Sequence, residues 1–278
     1  MTLNLDNIKL RELIPNVIHE VEGETPLYDK ILPWIESAKV EMESIFLGTA
    51  YEPKDSVGGL VEKLIVNRAF TAAIPSLDLS VSPGGFTVIN TEGRSPASKE
   101  RVERLIASLD SYYNANANLL LKWLALDDEW RKSSLGQWWL ATFIPNFDHV
   151  YEFKGKRGVM TTYRVMRDIA VMFEHELAER FLGRKFLSTL RDARPGKISS
   201  AIDELRETIV AAELKFIKHH FDNPEEICPN SHEVWHLARP IIAHLDYFPE
   251  LKEQWSAEMG DIIKVEPFKN KVKGGYFF

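Results

Sequence analysis

The stretch VMRDIAVMFEHELAERFLG, residues 165–183, decides the fold class. Its apolar residues Val165, Ile169, Met172, Phe173, Leu177 and Phe181 recur at three- and four-residue intervals, which places them on one face of an α-helix. Gly183 follows, where a helix commonly ends on a left-handed residue. The same ending occurs once before, in IESAKVEMESIFLG, residues 35–48. Glu41-Met42 and Phe46-Leu47-Gly48 match Glu176-Leu177 and Phe181-Leu182-Gly183 at one fixed offset. Two readings stand side by side. Either the chain holds two related helical halves, or two helices have converged on a Leu-Gly cap.

Working outward, Thr25-Pro26 reads as a helix start, and Ile31, Trp34, Ile35, Ala38, Met42, Ile45 and Phe46 carry a helical stripe in which Pro33 is expected to kink or restart the helix. A second stripe runs through Leu60, Leu64, Ile65, Ala69 and Ala73. Leu77-Asp78-Leu79-Ser80-Val81 then alternates with period two, Ser82-Pro83-Gly84-Gly85 is turn chemistry, and Phe86-Thr87-Val88-Ile89 is placed to pair back. A short β-hairpin near 77–90 is expected. Ser95-Pro96 restarts helix, and Val102, Leu105, Ile106, Leu109 and Tyr113 lead toward Leu120 and Leu124. Asp127-Asp128-Glu129 is a polar break. The chain thus reads as mainly α, a helical bundle, with an N-terminal helical domain at 1–127, a C-terminal one at 128–263 and an extended tail at 264–278.

The second half opens on Trp130, Trp138, Trp139, Phe143, Phe147 and Tyr151. Packing between helices or domains is favoured there over ligand stacking. A further helix begins at Ser199-Ser200 and uses Ile202, Leu205, Ile209, Ala212 and Phe216.

The totals exclude several classes. Hydrophobic residues are 45% and charged residues 27% of 278, enough to bury a core. A net charge of −7 argues against nucleic acid, which needs a concentrated basic surface. One cysteine, Cys228, excludes an internal disulfide and favours the cytoplasm. It lacks a CxxC partner and reads as inert rather than nucleophilic. No stretch approaches the roughly 18 apolar residues of a membrane helix, and the first residues carry no signal-peptide pattern.

One motif carries chemistry. His232-Glu233-Val234-Trp235-His236 matches HExxH, which on a helix offers two imidazoles to a Zn²⁺ and a glutamate as general base. The match lies in a first turn after Cys228-Pro229-Asn230-Ser231, Pro240 weakens the helix beyond it, and Glu250, Glu253 and Glu258 are third-ligand candidates by distance only. A chance match is favoured, so no metal or cofactor is expected, and Zn²⁺ held by His232 and His236 with Glu233 as base is the alternative. His219-His220 suits the negative end of a helix. At the terminus, Lys264, Lys269, Lys271 and Lys273 precede Tyr276-Phe277-Phe278. Three aromatics should dock rather than remain in water, on their own domain or on a neighbouring subunit.

The run LDLSVSPGGFTVINTEGRSPASKERVERLIASL, residues 77–109, resembles a family of uncharacterised proteins encoded in prophages and mobile elements of gut anaerobic bacteria. Its members have a similar hairpin followed by a similar Pro-Ala-Ser…Arg-Val…Leu segment. The Phe46-Leu47-Gly48 helix end and the closing Phe268-Lys269-Asn270 and Tyr276-Phe277-Phe278 are also similar. The resemblance implies a place among virion morphogenesis genes, whose small helical products include head–tail adaptors and head-completion proteins. It brings no catalytic residues with it. The expectation is a non-enzymatic, oligomeric protein of the host cytoplasm or the virion. It would contact itself and phage structural proteins through helix faces, Val81 and Phe86 of the hairpin, and Tyr276, Phe277 and Phe278.

Overall fold

A computed structural model describes residues 7–14, 22–23, 25–77, 79–82, 85–88, 98–153, 155, 157–193, 199–227 and 231–260. The protein is mainly α-helical, as the periodicity requires. Among the described residues no helix is long and apolar enough to cross a membrane. The chain divides into two compact units, residues 1–141 with 145–148, and residues 142–144 with 149–278.

The first unit begins with α1 (Asn7–Leu13), α2 (Leu27–Met42) and α3 (Asp55–Ala73). Helix α2 starts one residue later than the Thr25-Pro26 reading. Pro26 is its N-cap, with ψ 146°, and accepts the Lys30 N–H at 3.1 Å. The helix continues through Pro33 without a restart, because burying Ile31, Ile35, Ala38 and Met42 outweighs one missing backbone bond. Helix α3 packs along α2 and turns in Leu60, Val61, Leu64, Ile65, Ala69 and Ala73. Strands β1 (Leu79–Ser82) and β2 (Gly85–Val88) pair antiparallel, Val81 opposite Phe86. Helix α4 (Lys99–Leu124) packs on α3, and the short helices α5 (Asp128–Lys132) and α6 (Ser134–Trp139) complete the unit.

The polar break at Asp127 is a cap rather than a domain boundary. Its carboxylate accepts the Glu129 and Trp130 N–H groups at 2.8 and 3.1 Å and so starts α5. The division expected at 127/128 falls after α6, because two tryptophans tie these helices into the first unit. Trp130 Nε1 donates to the Phe46 carbonyl at 2.7 Å, and Trp139 Nε1 to the Ile45 carbonyl at 2.8 Å. The Phe46, Trp139 and Phe147 rings pack on one another at 5.7–6.5 Å. Of the aromatic cluster, Trp130, Trp139, Phe143 and Phe147 are buried, as the packing reading expects, whereas Tyr151 is exposed.

The second unit contains α7 (Val150–Phe153), α8 (Val159–Leu177), α9 (Arg184–Asp192), α10 (Ser200–His220), α11 (Ser231–His244) and α12 (Pro249–Met259). Helix α10 lies on α8, and α11 packs on both. Pro240 sits inside α11 without ending it, since Val234, Ala238 and Ile241 are buried on either side.

The internal echo is structural. In both units the long first helix passes into one π-helical turn, Glu43–Leu47 and Ala178–Leu182. Gly48 (φ 80°) and Gly183 (φ 86°) then leave it. Each glycine N–H closes a five-residue hydrogen bond, to Glu43 O at 2.7 Å and to Ala178 O at 2.9 Å. Buried Ile31, Ile35, Ala38, Met42 and Leu47 correspond to buried Met166, Ala170, Phe173, Leu177 and Leu182, each pair spaced as Gly48 is from Gly183. The match thus extends to five core positions and to the helix type, as one helical register ending on one cap requires.

Candidate functional site

The HExxH residues lie on the first turns of α11, beside the last turn of α10. Its i, i+4 spacing brings the imidazoles of His232 and His236 together, with Nε2 atoms 3.3 Å apart on an exposed face. That is about the separation of two nitrogens on one tetrahedral zinc at ~2.0–2.1 Å. Glu233, one residue further round the helix, faces away from the pair. Its two oxygens lie 3.1 and 3.2 Å from His220 Nε2. The His220 ring packs on Phe216 at 4.4 Å and edge-on to His219 at 4.8 Å.

The motif is therefore divided. A metalloprotease glutamate must reach the water on the metal that its two histidines hold, and here the glutamate is engaged by a different imidazole. Among the described residues, the set of three whose ligand atoms lie within 4.8 Å of one another is His219, His220 and Glu233. This set takes one residue from the expected site and two that the sequence reading assigned to the helix end. Of the third-ligand candidates, Glu258 is engaged elsewhere. It accepts the Lys185 and Phe186 N–H groups at 2.8 and 2.7 Å, capping α9 against Gly183. A surface hollow lined by Lys185, Phe186, Thr189, Gln254, Ala257 and Glu258 holds none of the motif residues.

The second unit also buries a charged group that the sequence reading did not single out. Glu174 accepts the Phe143 N–H at 2.8 Å and the Arg191 guanidinium at 3.0 Å. Glu213 on α10 is fully buried and neither of its oxygens has a protein donor. Burial, then the charge of Glu174, raises the Glu213 carboxyl well above its ordinary value, which favours its protonated form. The signal was its place in the stripe Ile209, Ala212, Glu213, Phe216.

The surface expected to bind partners is described in part. Val81 and Phe86 are cross-strand neighbours in the hairpin backbone. Cys228 and Tyr276, Phe277 and Phe278 lie outside the described residues. What the reading missed is on α4. Its buried residues are Ala117, Leu120, Leu121 and Leu124. Leu105, Tyr112, Leu119, Trp123 and, just past its end, Leu126 are 36–53% exposed. These five large apolar side chains recur along the helix, and exposed apolar side chains grouped in this way are a candidate interaction surface. The signal was the seven-residue spacing of 105, 112, 119 and 126.

The comparisons with known proteins add one match. Residues 14–138 fit the model of a family of unknown function, DUF6712. No curated protein and no solved structure matches the chain. The matched span ends one residue before the close of α6 and lies within the first unit.

Proposed function

We propose that this chain is a non-enzymatic structural or adaptor protein of prophage origin, acting in virion assembly through protein–protein contacts. The observation that carries the reading is the exposed apolar line on α4, a surface that a helical scaffold uses to bind another protein. The divided HExxH supports it from the other side, since the glutamate is turned from the histidine pair. The net charge of −7 fits protein contacts better than DNA packaging. The prophage assignment rests on the resemblance of residues 77–109. Co-expression with the products of adjacent genes, followed by size exclusion with light scattering and electron microscopy, tests it. A stable complex or a ring is expected. A strict monomer that binds none of those products at high concentration overturns it.

A second reading is a zinc-dependent hydrolase, favoured by the 3.3 Å separation of His232 and His236 and by the His219, His220 and Glu233 set. Metal analysis of untagged protein separates the two. Stoichiometric zinc that disappears in His232→Ala or His236→Ala reverses the ranking.

A further inference from the structure

Four imidazoles and one carboxylate gather where α10 ends and α11 begins, two helices that pack on one another. They form two groups that differ in reach. His232 and His236 belong to one helix and stand together on its exposed face. His219 and His220 close α10, and Glu233 meets them from the first turn of α11. An ion on the first pair would touch one helix. An ion in the second group would join two helices that residues 221–230 connect.

The donors of the second group suit one kind of ion. Two imidazole nitrogens and one carboxylate oxygen are a three-ligand set that zinc takes, with a water in its fourth position. Calcium and magnesium take oxygen ligands instead. The distances are close to what zinc needs. Two ligand atoms on a tetrahedral zinc at ~2.0–2.1 Å stand about 3.3 Å apart, and His220 Nε2 lies 3.1 and 3.2 Å from the two Glu233 oxygens. A His219 nitrogen completes the set within 4.8 Å. His219 is exposed, so its ring can turn inward without displacing core, whereas His220 is held against Phe216 at 4.4 Å. The last carbonyls of α10 add the negative end of a helix, which favours a cation beside these two histidines. A hydrogen bond between His220 and Glu233 accounts for one contact of the group. It does not account for His219, which brings a third donor to the same point.

We propose that His219, His220 and Glu233 form a divalent transition-metal site of the zinc class, a clasp that fastens α11 to the end of α10. Its role is structural. With Glu233 engaged as a ligand, the HExxH motif offers no general base to a water on the metal. The site goes beyond the assembly reading and does not rest on it. It also differs from the hydrolase reading, in which His232 and His236 hold the ion. The three ligands converge only when α10 and α11 are packed, so binding stabilises the folded second unit by mass action.

Zinc titration of the untagged full chain, stripped with EDTA and followed by calorimetry and by the thermal midpoint, tests the clasp. It is run on the unsubstituted chain and in a His232→Ala, His236→Ala background, where an ion on the exposed pair is not counted. In that background one zinc per chain and a raised midpoint are expected, with no such response to magnesium at the same concentration. Glu233→Gln and His219→Ala should each weaken zinc binding at least tenfold while the helical circular dichroism is retained. Cys228→Ser, which removes the one thiol of the chain, should leave the affinity unchanged. Zinc bound by the unsubstituted chain and lost in the background assigns the ion to the exposed pair and overturns the clasp. No stoichiometric zinc in either protein overturns it too, as does zinc held undiminished by Glu233→Gln and His219→Ala. Zinc lost in Cys228→Ser overturns the three-ligand set, and equal affinity for magnesium overturns the transition-metal class. Binding of neighbouring gene products is a separate measurement, so each of these results leaves the adaptor reading standing.

Discussion

The helix endings at Gly48 and Gly183 share one backbone solution and differ in the side chains that secure it. Both leave an α-helix through a π-helical turn, and in both an indole N–H from a later helix closes the exposed end. In the first unit Trp130 and Trp139 bond to the carbonyls of Phe46 and Ile45. In the second, Trp255 bonds to the carbonyl of Phe181 at 2.9 Å. A π-turn leaves its last carbonyls without helical partners, and a donor from outside must satisfy them. The lesson is that one backbone requirement is met by different suppliers: two tryptophans in one unit, one tryptophan plus the Glu258 cap of α9 in the other. The cores differ as well. The corresponding first helix places exposed or half-buried residues at Lys39 and Val40 in the first unit, and the buried acid Glu174 in the second.

That last difference gives the largest expected effect. Arg191→Met should strip Glu174 of its cation and destabilise the second unit by about 3–5 kcal/mol, read as a drop in the urea midpoint. Little change would mean that Glu174 is protonated and needs no partner. Next come the indoles. Trp130→Phe removes a buried hydrogen bond and opens a cavity, costing about 2–4 kcal/mol. Trp255→Phe, at a half-buried site, should cost about 1 kcal/mol. Equal losses would show that the two junctions are secured alike.

The glycines sharpen the comparison. Alanine at either must hold a left-handed φ, but a Cβ at Gly183 would also come within 2.4 Å of Glu258 Cδ, while at Gly48 the nearest atom, Leu135 Cβ, is 4.0 Å away. Gly183→Ala should therefore cost about 2–3 kcal/mol and Gly48→Ala about 1–2 kcal/mol.

The smallest effect is the pH response, and its sign differs between units. Glu213 has a raised folded pKa, so the unfolded chain releases that proton first. Its contribution to stability is full below about 4.5 and declines as pH rises above it. Asp127 and Asp148 behave oppositely. Burial pushes both carboxyls up. Hydrogen bonds from Trp130 and Glu129 to Asp127, and from Lys122 and Asn118 to Asp148, more than offset it and leave both below 3.8. Their contribution is present above that pH and is lost as the pH falls through it. Glu213→Gln should flatten the decline above pH 4.5 in unfolding monitored for the second unit. A slope unchanged by that substitution would place the proton elsewhere.

The helical class, the long helices α2, α3, α4, α8 and α10, and the match of the two Phe-Leu-Gly ends were legible in the sequence. Each depends on local periodicity and capping, which neighbouring residues fix. That the helices continue through Pro33 and Pro240 was not legible, because burial on both sides of them is a tertiary gain that sequence spacing does not reveal. The unit boundary misled for the same reason. Asp127 looks like a break, and only the bonds from Trp130 and Trp139 to a turn more than eighty residues earlier assign the following helices to the first unit. HExxH fixed which side chains share a helix face. It could not fix what Glu233 meets across the gap, and the answer, His220, arrives on another helix. The same limit hid Glu213, whose raised carboxyl reflects burial and the neighbouring Glu174 carboxylate, which only packing brings beside it. Periodicity is written into neighbouring residues, and so the sequence carried the helices. The partners of Glu233, Glu174 and the two glycine junctions come from distant segments, and only the tertiary structure decided them.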